Sequence, residues 1–203
     1  MSKLLKSLVV ASSLMFSNIS FGAIGPYQFL TNQPLANQFV EEKTNQVEVL
    51  IFFNYKCKHC FNFLKAQQQW QADKRAKIVK IPVSYFDGKN QVLAKLFYSL
   101  QIMGLEEKMQ MAIFEAIWEQ DIDLTKPKVL FDWLKQQKID IKQFQKLFNS
   151  FYVEFMIRKA DELALRYDLR GTPFVSIGGK FYLDSGNHQT KLKNINIIIN
   201  KHF

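Results

Sequence analysis

A Cys-x-x-Cys pair, Cys57-Lys58-His59-Cys60, sits where a strand-like run gives way to a helix-like one, and these are the only two cysteines among 203 residues. No other segment constrains the fold as much. Val47-Glu48-Val49-Leu50-Ile51-Phe52-Phe53 is rich in β-branched and aromatic residues and continuously apolar at its end, the pattern of a buried central strand. Asn54-Tyr55-Lys56 breaks it. From Cys57 to Trp70 no Gly or Pro intervenes, and Phe61, Leu64, Lys65 and Gln68 share one helical face. The spacing predicts a helix that begins at the motif and carries Cys57 in its first turn.

That position has chemical consequences. At i and i+3 on a helix the two Cα atoms lie about 5 Å apart, inside the window of roughly 4.4–6.8 Å that a disulfide spans. The pair can therefore close and open reversibly. First-turn N–H groups and the positive end of the helix dipole favour a thiolate at Cys57. Lys56, Lys58 and a protonated His59 add positive charge beside it. A stabilised thiolate is a good leaving group, and stabilising the reduced form makes the disulfide a stronger oxidant. Zinc binding is the rival use of this spacing. Only His59, His188 and His202 add imidazoles, and His59 lies inside the same short loop, so the usual paired ligand spacing is missing. The expectation is no metal and no cofactor beyond a redox-active Cys57–Cys60 disulfide.

The amino terminus speaks to the compartment. Lys3 and Lys6 form a basic n-region, Leu8 to Phe16 a short apolar core, and Ser20-Phe21-Gly22 supplies the small residues a signal peptidase reads. Residues 1–22 are expected to be a signal peptide cleaved before Ala23; an uncleaved anchor is the alternative, for which the apolar run is short. Removing them takes two lysines and no acid, lowering the formal charge from +9 to +7. The remaining lysines are scattered singly among acids, the pattern of a solvated surface, and export argues against a nucleic-acid partner. About 180 residues, nearly half of them apolar, suffice for a core without structural disulfides, so neither cysteine is needed as a staple.

Downstream, Ile78-Val79-Lys80-Ile81-Pro82-Val83 is a second strand candidate, which Pro82 marks as an edge or a strand end, and Asp87-Gly88 a turn. From Gln91 to Tyr167 the spacing is helical. Leu93, Leu96, Phe97 and Leu100 form one stripe, and Met109, Ala112, Ile113, Ala116 and Ile117 another. Asp140 with Gln143 resembles a capping pair, opening a helix with the stripe Phe144, Leu147, Phe148 and Phe151; Met156, Ala160, Leu163, Ala164 and Tyr167 continue the pattern. These stripes are read as core. Phe174-Val175-Ser176-Ile177, Gly178-Gly179 and Lys180-Phe181-Tyr182-Leu183 form a β-hairpin, and Leu192, Ile195, Ile198 and Ile199 a closing helix. The order describes an α/β protein with a helical insertion between the second core strand and the C-terminal hairpin.

A Cys-x-x-Cys opening a helix after an apolar strand, with Gly171-Thr172-Pro173 leading into the hairpin, resembles the thioredoxin superfamily. Within it, the chain resembles the DsbA-like thiol oxidases over nearly its whole mature length. Phe52-Phe53 before Cys57, His59 within the pair, Met103-Gly104-Leu105-Glu106-Glu107-Lys108 in the helical block and Arg170-Gly171-Thr172-Pro173 before Gly179-Lys180 carry the likeness. The resemblance implies a thioredoxin-like fold, with residues 23–89 and 168–203 as the thioredoxin-like domain and 90–167 as the inserted helical domain. It also implies a periplasmic thiol:disulfide oxidoreductase that donates disulfides to exported proteins with free cysteines and is reoxidised by a DsbB-type membrane partner.

By the same resemblance, Cys57 is the nucleophile, Cys60 its partner, and His59 stabilises the released thiolate, unless it is an ordinary solvent-facing residue. Pro173 would be a cis proline facing the disulfide, with the Thr172 backbone pairing an extended substrate segment; residue pattern alone leaves an ordinary trans proline open. Two positions depart from the family pattern: Lys58, where proline is usual, and Ile51, where a buried acid is common. A disulfide isomerase or reductase on the same fold is the alternative function, but isomerases commonly add a dimerisation domain. Only residues 23 to about 46 precede the first predicted strand here. A redox-inactive binding module would give no role to the paired cysteines.

Overall fold

The computed structural model describes residues 28–29, 45–84 and 90–203. Its described strands form one mixed sheet: β1 (Gln28–Phe29), β2 (Val47–Phe53), β3 (Ala76–Pro82), β4 (Phe174–Ile177) and β5 (Phe181–Leu183), in the order β1-β5-β4-β2-β3. β2 runs parallel to β3 and antiparallel to β4, which hairpins into β5. The strands pair Ile177 with Phe181, and in the three-residue connection Gly178-Gly179-Lys180 both glycines hold positive φ (56° and 64°), a region glycine enters without the Cβ penalty. β3 is the sheet edge, and Pro82 ends it opposite Phe53, so the missing N–H breaks no interior ladder. β1, two residues against β5, is too short to leave a period in the sequence.

α1 (Lys58–Gln67) follows β2 directly. Between β3 and β4 come α2 (Asn90–Ile102), α3 (Glu106–Trp118), α4 (Pro127–Gln136), α5 (Ile141–Phe148) and α6 (Phe151–Arg166), and α7 (His188–His202) closes the chain. This is the α/β order expected, with the helices inserted before the hairpin.

The continuous apolar run of β2 is explained by two cores. Val47, Val49 and Ile51 face Phe63 of α1 and Leu192, Ile195, Ile198 and Ile199 of α7, whereas Leu50 and Phe52 face the inserted helices. Each residue buries a different side of the same strand. The stripes of α2 and α3 are buried as expected at Leu93, Leu96, Phe97, Leu100, Met109, Ile113 and Ala116.

One local expectation is corrected. Phe151 does not belong to the α5 stripe: Asp140 caps α5 by accepting from the Gln143 N–H (3.0 Å), but the helix ends at Phe148. Ser150 then caps α6, accepting from Val153 N–H (3.2 Å), and leaves Phe151 87% exposed at its first position. On α1 the buried face is Cys60, Phe61 and Phe63, while Lys65 and Gln68 are exposed. Lys65 reaches instead to Glu119 (2.7 Å). The signal peptide and the Asp87-Gly88 turn lie outside the described residues. Among the described residues, no helix is long and apolar enough to cross a membrane.

Candidate active site

β2 delivers the chain to the edge of both cores, and Asn54 turns it. The Asn54 side chain accepts from the Lys56 N–H (2.7 Å) and donates to the Val83 carbonyl (3.0 Å), while its own carbonyl receives the Cys57 N–H (3.0 Å). The loop is thereby tied to the end of β3 before the helix starts. Cys57 is the N-cap of α1 rather than a residue of its first turn. Its sulfur accepts from the Cys60 N–H at 3.3 Å, one of the N–H groups a helix start leaves without an internal partner.

Both cysteines are free thiols, in unlike surroundings. Cys57 is half-buried; Cys60 is 3% exposed. The Cys57 thiol is lowered to about 6, first by the hydrogen bond from the Cys60 side chain, then by the Thr172 side chain and the backbone N–H groups of Cys60 and His59; partial burial opposes the shift. Burial drives the Cys60 thiol the other way, and its hydrogen bond to Cys57 and the Cys57 charge push it further up. One sulfur is poised as thiolate while the other holds its proton.

The flanking lysines contribute differently from the expectation. Lys58 lies 5.0 Å from the ring centroids of both Phe61 and Trp118, drawn over two π faces. Hydrogen bonding, not the charge of Lys56 or Lys58, lowers Cys57. Trp118 in turn donates its indole N–H to the Tyr55 carbonyl (2.9 Å), fastening α3 to the loop that carries the cysteines.

Facing the sulfurs is the start of β4. The Thr172–Pro173 peptide bond is cis, the form the family resemblance implies, and the Cys57 thiol donates to the Thr172 carbonyl at 3.1 Å across a sequence separation of 115 residues. The structure thus brings together Cys57, Cys60, Thr172 and Pro173. His59 is exposed on the same rim, its ring centroid 6.1 Å from that of His188 at the start of α7. His188 is held below the usual imidazole range by burial and by the charges of Lys191 and His59, and its Nδ1 is buried without a partner among the described residues. Among those residues no group of three or more His, Cys, Asp or Glu side chains gathers as a metal site.

Beneath Cys60 the floor is mostly apolar, with Gln67 and Gln110 at its border. Ile51, Phe53, Phe63, Phe114 and Pro173 line a cavity of about 10 Å³ there, room for a single water. Lys80, opposite Ile51 in the sheet, also borders it and pairs with Glu106 of α3 at 2.9 Å, both largely buried. With isoleucine at 51, the acid that partners this lysine comes from the inserted helices.

Sequence reasoning missed Lys191, and it met His188 only as an imidazole weighed for zinc, not as a neighbour of the dithiol. Lys191 is 4% exposed on α7 and donates to the carbonyls of Pro173 (3.2 Å) and Asp184 (3.0 Å). A signal was present: Lys191 precedes Ile195 and Ile198 by four and seven residues, placing a charge in register with an apolar stripe.

A strand-to-helix dithiol with sulfurs of opposite acidity, faced by the Thr172 carbonyl at the start of β4, defines a dithiol–disulfide exchange protein on a thioredoxin-like sheet. Comparison with known proteins agrees. The family described as DSBA-like thioredoxin domain matches residues 48–195. The thiol:disulfide interchange protein DsbA of Burkholderia cepacia is 32% identical over 183 residues, 89% of this chain and 84% of that protein. That of Azotobacter vinelandii is 30% identical over 162 residues, 75% of each. The crystal structure of Pseudomonas aeruginosa DsbA superposes with a TM-score of 0.76 at 28% identity, covering 87% of this chain and 91% of that one. The chain belongs to the DSBA-like thioredoxin family, and it is a thiol:disulfide oxidoreductase.

Proposed function

We propose that the protein donates disulfides to exported proteins in the periplasm, with Cys57 as the attacked and released sulfur. A substrate thiolate attacks Cys57 of the oxidised protein, the Cys57–Cys60 bond breaks, and Cys60 leaves with the electron pair and takes up a proton. A mixed disulfide joins the substrate to Cys57. A second substrate thiolate then attacks the substrate sulfur of that bond and expels the Cys57 thiolate. Two electrons pass from substrate to protein, leaving the dithiol. A DsbB-type membrane partner would withdraw them again.

The observation that carries this reading is the contrast between the two thiols: Cys57 lowered to about 6 and Cys60 pushed up. It makes Cys57 the better leaving group and stabilises the reduced form, which favours giving a disulfide away. Thr172 and Pro173 would hold the substrate as an added strand against the cysteines, and His59, on the rim, would stabilise the Cys57 thiolate.

Redox equilibrium of the purified protein with glutathione, read by thiol trapping, tests the direction. A potential well above that of thioredoxin, about −270 mV, is expected of a donor. A thioredoxin-like potential would move the assignment to a reductase.

A further inference from the structure

Lys191 is a part of the site's surroundings that neither the exchange chemistry nor core packing explains. A lysine at 4% exposure has lost its hydration, and burial lowers its pKa accordingly. Removal from water is tolerated only when something inside the protein replaces it. Two of its three N–H donors go to backbone carbonyls, Pro173 O at 3.2 Å and Asp184 O at 3.0 Å. Those dipoles satisfy hydrogen bonding but do not neutralise the charge. The charged groups that act on Lys191 in its favour are the Asp184 carboxylate, Cys60 and Cys57. Asp184 is exposed, so water screens its charge. His59 and His188 on the rim bring no negative charge, and the Lys191 charge is itself felt at His188. The sulfurs are the remaining source of negative charge on the protein side.

We propose that Lys191 is a positioning residue of the exchange reaction: a buried cation that ties the Pro173 carbonyl to α7 and serves as internal counter-charge to the Cys57 thiolate. This rests on the reading that Cys57 is the sulfur released as thiolate. When the protein passes its disulfide to a substrate, two electrons enter the Cys57–Cys60 pair; Cys60 keeps a proton, and Cys57 is left negative. In that state the Cys57 charge adds to the screened charge of Asp184, and with the disulfide closed Asp184 alone remains. The same lysine holds the loop that faces the sulfurs, so the charge and the substrate-facing turn are fixed by one side chain. In the coupling of two charges the gain is mutual: whatever Lys191 lends the thiolate, the thiolate lends Lys191.

Three variants separate charge from tethering. Lys191→Gln keeps an N–H donor for the carbonyls but not the charge, Lys191→Met keeps neither, and Lys191→Arg keeps the charge. The Cys57 thiolate is titrated by its ultraviolet absorbance in the reduced protein, alongside the glutathione equilibrium. The expected result for Gln and Met is a Cys57 pKa about one unit higher and a roughly tenfold shift of the equilibrium toward oxidised protein, equivalent to about 30 mV; Arg retains the native values. A purely tethering role would slow substrate turnover in Met and leave the Gln titration native, which overturns the proposal. Should the variants fail to fold, the wild-type protein decides alone. By nitrogen-15 NMR of labelled lysine, Lys191 titrates at higher pH in the reduced than in the oxidised protein, and equal titration in both states overturns the counter-charge. Mapping of iodoacetamide label in the reduced wild-type protein near pH 6.5 tests the underlying reading separately: label on Cys60 rather than Cys57 defeats the assignment of the released sulfur, whatever Lys191 does.

Discussion

The mouth and the floor of the site meet at a single helix turn, yet they act on their sulfurs in opposite directions. At the mouth, Cys57 is surrounded by donors: the Cys60 side chain and N–H, the Thr172 hydroxyl and the His59 N–H. At the floor, Cys60 lines a small cavity together with Ile51, Phe53, Phe63 and Phe114, and burial dominates. Two identical thiols three residues apart therefore differ because one is solvated by the protein and the other is merely desolvated. Acidity here comes first from the hydrogen bond of the Cys60 side chain, with the Thr172 side chain and the N–H groups of the helix start adding to it, and burial supplies the contrast rather than the activation.

Removing the mouth's sulfur has the largest effect. Cys57→Ser should reduce disulfide transfer to a reduced test protein to the uncatalysed rate. Cys60→Ser should instead accumulate a mixed disulfide on Cys57, because the sulfur that would close the pair is gone. Mass spectrometry of the trapped species distinguishes them, and trapping on the wrong cysteine would invert the comparison.

Truncating the floor should cost stability and leave acidity alone. Phe114 stacks on Phe61 (ring centroids 5.6 Å) and packs against Tyr55 (4.8 Å), at 1% exposure. Phe114→Ala is expected to destabilise the protein by about 3–5 kcal/mol in urea denaturation. The Cys57 titration should stay near 6, because none of the donors that set it is touched. A coupled rise would mean that the floor holds the mouth in shape.

The acidity of Cys57 also links stability to pH in the reduced protein alone. Its folded value, about 6, lies below the ordinary thiol value of 9.0, so ionisation favours the folded state. That contribution is complete above pH 9, declines as pH falls from 9 toward 6, and is gone below 6. Melting temperatures of reduced and oxidised protein measured side by side should show the reduced form losing this increment over that window. The oxidised form has no thiol at Cys57 and serves as the baseline.

Much of this is legible in the amino-acid sequence. β2, the helix after it, the hairpin and the closing helix follow from periodicity, and Asp140 announced its cap because capping is local chemistry. The failures share a cause. Phe151 belonged by spacing to α5, but a competing cap at Ser150 cut the helix one turn earlier. Lys58 has charge in the right place by sequence, and tertiary packing drew that charge onto Phe61 and Trp118. Lys191 and the Lys80–Glu106 pair depend on partners 18 and 26 residues away, a separation that leaves no periodic trace.

The smallest expected effect tests the mouth one donor at a time. Thr172→Val preserves shape and removes only the hydroxyl, while the Thr172 carbonyl, which accepts from the Cys57 thiol at 3.1 Å, stays in place. That carbonyl favours the protonated form, so its persistence does not mask the loss. A single hydrogen bond is worth roughly 1 kcal/mol net, about 0.7 of a pKa unit. The titration should therefore rise from about 6 by less than one unit, and the glutathione equilibrium should move toward oxidised protein by about fivefold. Cys60 also loses a lowering contact, but a thiol already pushed up by burial stays protonated either way. The shift should be confined to Cys57, and a native titration would remove the Thr172 hydroxyl from the groups that set its acidity, leaving the Cys60 and His59 donors.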